Sequence, residues 1–456
     1  MVDITVIGGG LAGSESAWKA AQLGKQVTLY EMRPTIGTGA HHTGFLAELV
    51  CSNSLGSNAI DKASGLLKHE LRRLGSVVLD CAESCAVPAG GALAVDRDQF
   101  AELVTEKLST HPNIQILREE MPSIPETPTI VASGPLTSKK LSEAIEKLTG
   151  RDHLFFFDAI APIVAADSIN MGIAYRASRY EQGNLAEGDY INCPLDQEQY
   201  ETFINALIHG ERIEIKDLDN KILTGVNAGT PRFFEGCLPI EILAQRDYKA
   251  LAFGPMKPVG LVDPRTGKHP YAVVQLRQDN LIGSFYNMVG FQTNLKFHEQ
   301  ERVFRLVPGL EDVEFHRMGQ MHRNTFIDSP KHLFPSLQYR DRLDLYFSGQ
   351  ITGVEGYLGN IATGLLAGLN LARFLDGHTP ISLPPTTMIG ALCQYITSAN
   401  EADFQPMKAN FGLLPRLENS HKKGRKERYQ LYAVRAIKEL DEFLLSLSLV
   451  DQKYAI

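Results

Sequence analysis

The apolar and polar positions of this chain fall into three successive patterns. At the N-terminus Ile4-Thr5-Val6-Ile7 reads as a buried strand. Gly8-Gly9-Gly10-Leu11-Ala12-Gly13 then opens a helix that ends near Gly24, and Gln26 to Tyr30 reads as a second strand. Helical spacing recurs over Ala59 to Leu74 and over Asp96 to Ser109, the latter with Asp96 as N-cap. Thr129 to Pro135 is a short apolar strand that breaks at Gly134. From about Phe155 to Phe315 the pattern changes to short alternating runs (Tyr271 to Leu276, Tyr286 to Phe291) mixed with helices such as Gln197 to His209. A strand–glycine–helix order then returns: Asp344 to Gln350, a loop through Gly353 and Gly356, and a small-residue helix from about Asn360 to Leu375. Residues 384–456 read as mainly helical.

This order predicts an α/β protein. A discontinuous Rossmann-type domain, with a helical C-terminal segment, takes residues 1–165 and 320–456. An α+β insertion domain takes 166–319. Strand, glycines, helix, strand and terminal acid in this sequence form a dinucleotide-binding fingerprint. Gly8 permits the tight turn, Gly10 lets backbone approach a pyrophosphate, and Gly13 lets helix and strand pack closely. With Gly9 between them, they lead to a helix N-terminus at Leu11 and Ala12 that offers N–H groups and partial positive charge to phosphates. Glu31, eighteen residues past Gly13, stands where a carboxylate accepts from ribose hydroxyls; Met32 and Arg33 follow it. Gly134 is expected to abut the dinucleotide from the other side of the crevice. Gly349-Gln350 and Gly356-Tyr357 resemble the closing unit of flavoprotein Rossmann domains, with Gln350 where Asp is usual.

Composition narrows the classes. Net charge is −8, which disfavours nucleic acid as an overall partner. Between Arg416 and Lys438, however, stand eight basic residues, among them Lys422, Lys423, Arg425 and Lys426. That run reads either as a solvated helix face or as a track for a phosphate backbone. No signal-peptide pattern precedes Ile4, and no uncharged apolar run reaches the ~18 residues a membrane span needs. Six cysteines without a C-x-x-C pair are not a disulfide framework, so a reduced, cytoplasmic protein is expected. No His, Cys, Asp and Glu grouping has metal-ligand spacing, so no metal is expected.

Two cysteines stand out by context. Cys237 lies between Gly236 and Leu238-Pro239, where a helix could begin and lower a thiol pKa; Cys51 precedes Ser52-Asn53-Ser54, equally suited to capping. A free cysteine is most often a small buried hydrophobe, and that reading applies to Cys81, Cys85, Cys193 and Cys393. His41-His42 follows the dinucleotide unit, and His322-Arg323-Asn324 joins an imidazole, a guanidinium and an amide. Arg33 and Lys257 read as phosphate contacts or as surface charges.

Several strings are more specific. They are Tyr30-Glu31-Met32-Arg33-Pro34, Ala47 to Leu55, Val87 to Arg97, Phe234 to Glu241, Phe253 to Leu261, Met321 to Phe326, and Gly349 to Tyr357. Through them the chain, from residue 2 to about 440, resembles the TrmFO family: bacterial folate- and FAD-dependent tRNA (uracil-5-)-methyltransferases, related to the GidA flavoproteins. The stretch from about Asp219 to Arg232 is longer than the family pattern, a departure in loop geometry rather than chemistry. The resemblance implies FAD in the Rossmann domain and NADH or NADPH as reductant. It implies 5,10-methylenetetrahydrofolate as carbon donor and the T-loop uridine of tRNA as acceptor. It further implies Cys237 as nucleophile, with Cys51 assisting in proton removal or guarding the flavin, the two roles being exchangeable. It makes His322, Arg323 and Asn324 folate-binding candidates, and the run at Lys422, Lys423, Arg425 and Lys426 a tRNA contact. A GidA-type enzyme of the wobble uridine is the alternative, disfavoured because that relative carries a C-terminal extension this chain lacks.

Overall fold

The computed structural model describes residues 3–38, 40–150, 154–181, 185, 187–213, 238–400, 404–417 and 423–450, with backbone alone at 154–158, 181, 321–323, 449 and 450. The long stretch 219–232 lies outside the described residues.

The continuous apolar runs at 4–7, 27–30 and 129–131 form a parallel sheet, because strands covered on both faces have no polar side to present. Its order is Leu345–Phe347, Thr129–Val131, Ile4–Ile7, Val27–Tyr30, Ile114–Leu117. Ile4–Ile7 pairs on one side with Val27–Tyr30 and on the other with Thr129–Val131, all in parallel. The chain therefore leaves the central strand in one direction and returns on the opposite side. That switch opens a crevice at the carboxyl ends of Ile4–Ile7 and Thr129–Val131.

Helix Leu11–Gln22 lies against helix Tyr357–Leu375 at glycine distance. A Cβ on Gly364 would stand 2.2 Å from the Ala12 carbonyl oxygen, and one on Gly368 would stand 2.4 Å from that of Ser16. Any larger residue would push the helices apart. The second helix is long and apolar enough to cross a membrane, yet 83% of its most apolar window is buried inside the protein, so its apolarity is spent on the core.

A second, six-stranded antiparallel sheet runs Tyr175–Ala177, Tyr190–Leu195, Ala272–Gln278, Phe285–Met288, Ile163–Ala165, Phe315–Arg317. Its core joins Val164, Leu276 and Tyr286 to Phe203, Phe291 and Phe304. Its strand Ile163–Ala165 starts just ahead of residue 166. A two-stranded ribbon, Leu154–Ala159 with Met321–Phe326, carries the chain out to this sheet and back.

Several expected elements form with small shifts. Asp96 caps helix Arg97–Thr110 by accepting from the Gln99 N–H, and helix Gln197–His209 matches its expected bounds. The helix expected from Ala59 starts at Ala63. The C-terminal region is less helical than its composition suggests. Between helices Met388–Ser398 and Arg425–Val450, the described residues 404–417 carry a strand, Met407–Lys408, that pairs in parallel with Val354–Glu355, and a short 3-10 turn at Phe411–Leu413. Pro406 and Pro415 stand within that segment and cannot continue a helix.

Two buried carboxylates tie helices together. Glu15 accepts from the Ser76 hydroxyl and the Val77 and Val78 N–H groups; Glu70 accepts from the Met388 and Ile389 N–H groups. Burial pushes both up to about 7 against the pull of these hydrogen bonds.

Candidate active site

The crevice is lined by Gly8, Gly9, Gly10, Glu31, Met32 and Gly134, and encloses about 110 Å³. Gly8 needs a positive φ of 103°, and a Cβ on it would meet the Ala132 carbonyl oxygen at 2.6 Å; one on Gly13 would strike the Gly8 oxygen at 1.7 Å. At Gly10 a Cβ would meet nothing within 4 Å. Gly8 and Gly13 are thus required by the protein's own packing, whereas Gly10 leaves room in front of the helix N-terminus. Leu11 and Ala12 begin that helix and are buried.

Glu31 accepts from the Gly9 N–H at 2.9 Å and from the Arg33 N–H and Nε at 3.0 and 2.9 Å. Burial would raise it, but Arg33 holds its carboxyl below the usual range. Arg33 also donates to Glu48 at 3.1 Å, pinning the loop that carries His41 to the end of the second strand. His41 lines the same crevice, and burial beside Arg33 pushes it down to about 4.

Past Pro135 and Leu136, which line both spaces, the crevice continues into a larger, mostly apolar cavity of about 360 Å³. Cys51, Gln350, Gly356, Tyr357 and Asn324 line it. Gly349 and Gly356 adopt positive φ, and Gly356 is the N-cap of helix Tyr357–Leu375. A two-part space, narrow beside a glycine-rich helix N-terminus and wider beyond, fits a dinucleotide with a flat ring system: pyrophosphate at Gly10, ring in the cavity.

The Cys51 wall is built by three arginines. Arg97 forms a buried ion pair with Asp279 and donates to the carbonyls of Leu49 and Cys51, both at 2.8 Å. Arg277 donates to Asn53 Oδ1 at 2.9 Å and to the Ser52 hydroxyl at 2.6 Å. Arg317 donates to the carbonyls of Ala40 and Val50 at 3.1 and 3.0 Å. The Cys51 N–H itself donates to the Tyr357 hydroxyl at 2.9 Å. Arg277 and Arg317 come from the six-stranded sheet, so the second unit grips the loop that carries the thiol. Burial lowers both, and their guanidinium groups keep a positive field at this end of the cavity. None of the three stood out in the sequence. The available signal was an arginine and an aspartate, Arg277 and Asp279, in and just beyond an otherwise apolar strand pattern.

Other expected residues fall elsewhere. Cys237 and Lys422 lie outside the described residues. His322 and Arg323 take part in the ribbon through their backbone, while Asn324 is buried at the cavity. Lys423 pairs with Glu427, and Arg425 lies 5.4 Å over the Tyr429 ring. Lys426 is exposed. Lys257 is exposed on the second unit. Cys81, Cys85, Cys193 and Cys393 are buried free thiols. Among the described residues no group of three or more His, Cys, Asp or Glu side chains is suited to hold a metal ion.

Sheet order, crevice and continuous cavity define a Rossmann-type flavoprotein, and residues 3–379 match the family described as glucose inhibited division protein A. Two solved structures of Aquifex aeolicus GidA share the fold. They give a TM-score of 0.68 at 16% and 17% identity, over 96% of this chain and 73% and 75% of theirs. Within that class the chain belongs to the TrmFO family. It is 53% identical to the methylenetetrahydrofolate–tRNA-(uracil-5-)-methyltransferase TrmFO of Halalkalibacterium halodurans, over 97% of this chain and 98% of the relative. It is also 53% identical to that of Anoxybacillus flavithermus, over 98% of this chain and 100% of the relative.

Proposed function

We propose that the protein methylates carbon 5 of the T-loop uridine in tRNA, using 5,10-methylenetetrahydrofolate as carbon donor, in the cytoplasm. The observation that carries this reading is Cys51, on the wall of a cavity continuous with a dinucleotide crevice, in a chain 53% identical to TrmFO proteins over nearly its full length. FAD bound in the crevice supplies the reducing equivalents, which NADH or NADPH renews. Residues 1–165 and 320–456 hold it; 166–319 form the insertion that closes the cavity.

The chain's own residues divide the work. Gly9, Gly10 and the N–H groups of Leu11 and Ala12 receive the pyrophosphate, and Glu31, kept ionised by Arg33, accepts from the ribose. Met32 and Gly134 flank the adenosine end; Gly349, Gln350, Gly356 and Tyr357 face the ring end. Uracil is a poor carbon nucleophile. Addition of the Cys237 thiolate at carbon 6 creates an enolate whose carbon 5 attacks the methylene. Cys51 removes the carbon-5 proton, and the carrier amine leaves to give an exocyclic methylene; a hydride, which reduced FAD would supply, converts this to the methyl group, and Cys237 departs as thiolate to restore the 5,6 double bond. The arginines behind Cys51 favour negative charge on its side of the cavity.

The described chain that follows Cys237 meets the cavity. The Ile240 N–H donates to the Gln292 carbonyl at 2.7 Å, and Gln292 lines the cavity. Three residues of chain span at most about 11 Å. Asn324, with His322 and Arg323 beside it in sequence, is the folate-facing group, and Lys422, Lys423, Arg425 and Lys426 face the tRNA backbone.

The deciding experiment incubates the protein with unmodified tRNA, labelled methylenetetrahydrofolate and reduced nicotinamide, then analyses nucleosides. Ribothymidine is expected from the wild type and none from Cys237→Ala, which keeps its FAD. Normal product from that variant would overturn the nucleophile assignment.

A further inference from the structure

An exposed aromatic ledge on the second unit stands apart from the cavity. Tyr180 adopts a left-handed backbone (φ 57°, ψ 28°) and is 66% exposed. Bulky residues rarely take that conformation, and its cost falls where the surroundings impose it. Here the imposing contact is Gly260. A Cβ on Gly260 would lie 3.1 Å from the Tyr180 ring, and the Tyr180 N–H donates to the Gly260 carbonyl at 3.3 Å. The ring is thus seated on a glycine with its other face toward solvent, next to the exposed Val259.

The stretch of chain that carries Gly260 is opposite in charge to the whole chain. Residues 245–270 carry five cations, Arg246, Lys249, Lys257, Arg265 and Lys268, against Asp247 and Asp263, while the chain's net charge is −8. Asp263 is committed to Arg265 at 2.8 Å. Among the described side chains Glu187 is an exposed acid on the neighbouring segment, and Glu181 follows Tyr180 in the sequence.

The ledge is also joined to the cavity. Arg179 donates to the Val259 carbonyl at 2.7 Å and to Gln275 Oε1 at 2.9 Å. Gln275 and Arg277 share one face of strand Ala272–Gln278, two residues and roughly 7 Å apart. Arg277 holds Ser52, the neighbour of Cys51. The ledge and the thiol wall are therefore both anchored to one buried face of the same strand.

We propose that this ledge binds the substrate RNA outside the cavity, with an unpaired base stacked on Tyr180 and the adjoining backbone phosphates on Arg179 and Lys257. The inference rests on the tRNA reading above and adds a site to it. A flat aromatic face accepts any base, and flanking cations hold the strand in register, as in other single-stranded RNA sites. A loop nucleotide anchored here would hold the strand while the target base leaves its stack for the cavity.

The test uses the FAD-loaded protein and unmodified tRNA. Tyr180→Ala is expected to weaken tRNA binding about ten-fold, the scale of unstacking one base, and the loss falls in KM for tRNA rather than in kcat. Tyr180→Trp adds a second tryptophan to a chain whose one natural tryptophan is Trp18. The emission of that variant is expected to be quenched on adding tRNA, relative to the wild type. Lys257→Gln is expected to lower the salt dependence of binding. Unchanged tRNA affinity in Tyr180→Ala together with unquenched emission from Tyr180→Trp, while the wild type methylates tRNA, would overturn the ledge alone. Self-association that disappears in Tyr180→Ala would overturn it in favour of a protein contact. Failure of the wild type to methylate tRNA would overturn the activity itself.

Discussion

The crevice and the thiol wall meet at Pro135 and Leu136 but are built in opposite ways. The glycine-rich side of the crevice is made by one stretch of chain, Gly8 to Arg33, with Gly134 facing it from the other side; Gly8 and Gly13 answer close backbone contacts, while Gly10 leaves open space. The wall is made by residues far apart in sequence: Arg277 reaches Ser52 across 225 positions and Arg317 reaches Val50 across 267. The first depends on backbone shape and the second on buried charge held by backbone and side-chain oxygens. A change in the crevice should therefore act on cofactor retention, and a change in the wall on stability and chemistry.

The largest effect is expected at Gly10. Because a Cβ there meets no atom within 4 Å, Gly10→Val is expected to leave the fold intact and to fill the pyrophosphate position. The purified variant should be colourless and melt with the wild-type apoprotein, below the FAD-loaded wild type. A yellow variant would break the reading of the crevice. Gly13→Ala supplies the contrast, since its methyl would collide with the Gly8 carbonyl, so flavin and stability should fall together.

The next effect tests the wall. Arg97→Ala leaves Asp279 buried without its partner, and removing one member of a buried pair costs roughly 3–5 kcal/mol. Its chemical denaturation midpoint should drop sharply. Arg317 has neutral carbonyls as its hydrogen-bond partners. Arg317→Gln should retain FAD and most of its stability while losing methyl transfer. Equal loss of stability in both variants would erase the distinction between clamp and field.

What could be read from the sequence follows the same division. The fingerprint, the Asp96 cap and helix Gln197–His209 were legible because each is decided within a few residues. The closing glycines at 349 and 356 were legible as a local strand–turn–helix unit. The arginine wall was not, because a guanidinium in a strand carries no mark of the carbonyls it will meet two hundred residues away. The strand before the last helix was missed for a related reason. Strand Met407–Lys408 exists by pairing with Val354–Glu355, a partner that no local pattern names.

A smaller effect is expected from pH. Glu70 lies above its ordinary value, at about 7, because burial outweighs the Met388 and Ile389 hydrogen bonds. A carboxyl with a raised folded pKa binds its proton more tightly in the native state. Its stability contribution is complete below about 4.5 and is lost as pH rises through about 7. The wild type should therefore melt at a higher temperature near pH 5 than near pH 8. Glu70→Gln should flatten that difference, and an unchanged profile would refute the assignment. Glu15, raised by the same cause, predicts a second, additive change in Glu15→Gln.

The basic run sharpens the comparison most, although single changes in it should be smallest. It is as local in sequence as the glycines, yet locality there fixes charge and not geometry. Tyr429 and Tyr432, interleaved with it, pack against Phe411 at 4.5 and 6.0 Å between ring centroids, so these rings are engaged by the protein and the contact expected of the run is electrostatic. Each lysine that neutralises a phosphate adds about 0.9 to the salt slope of tRNA binding when the helix is double-stranded. Lys426→Gln should show that full step as a decrease. Lys423→Gln should show less, because Lys423 must leave Glu427 to meet a phosphate. Filter binding at several salt concentrations separates the two. If neither variant changes the slope, the run is a solvated helix face, and RNA is held by the second unit alone.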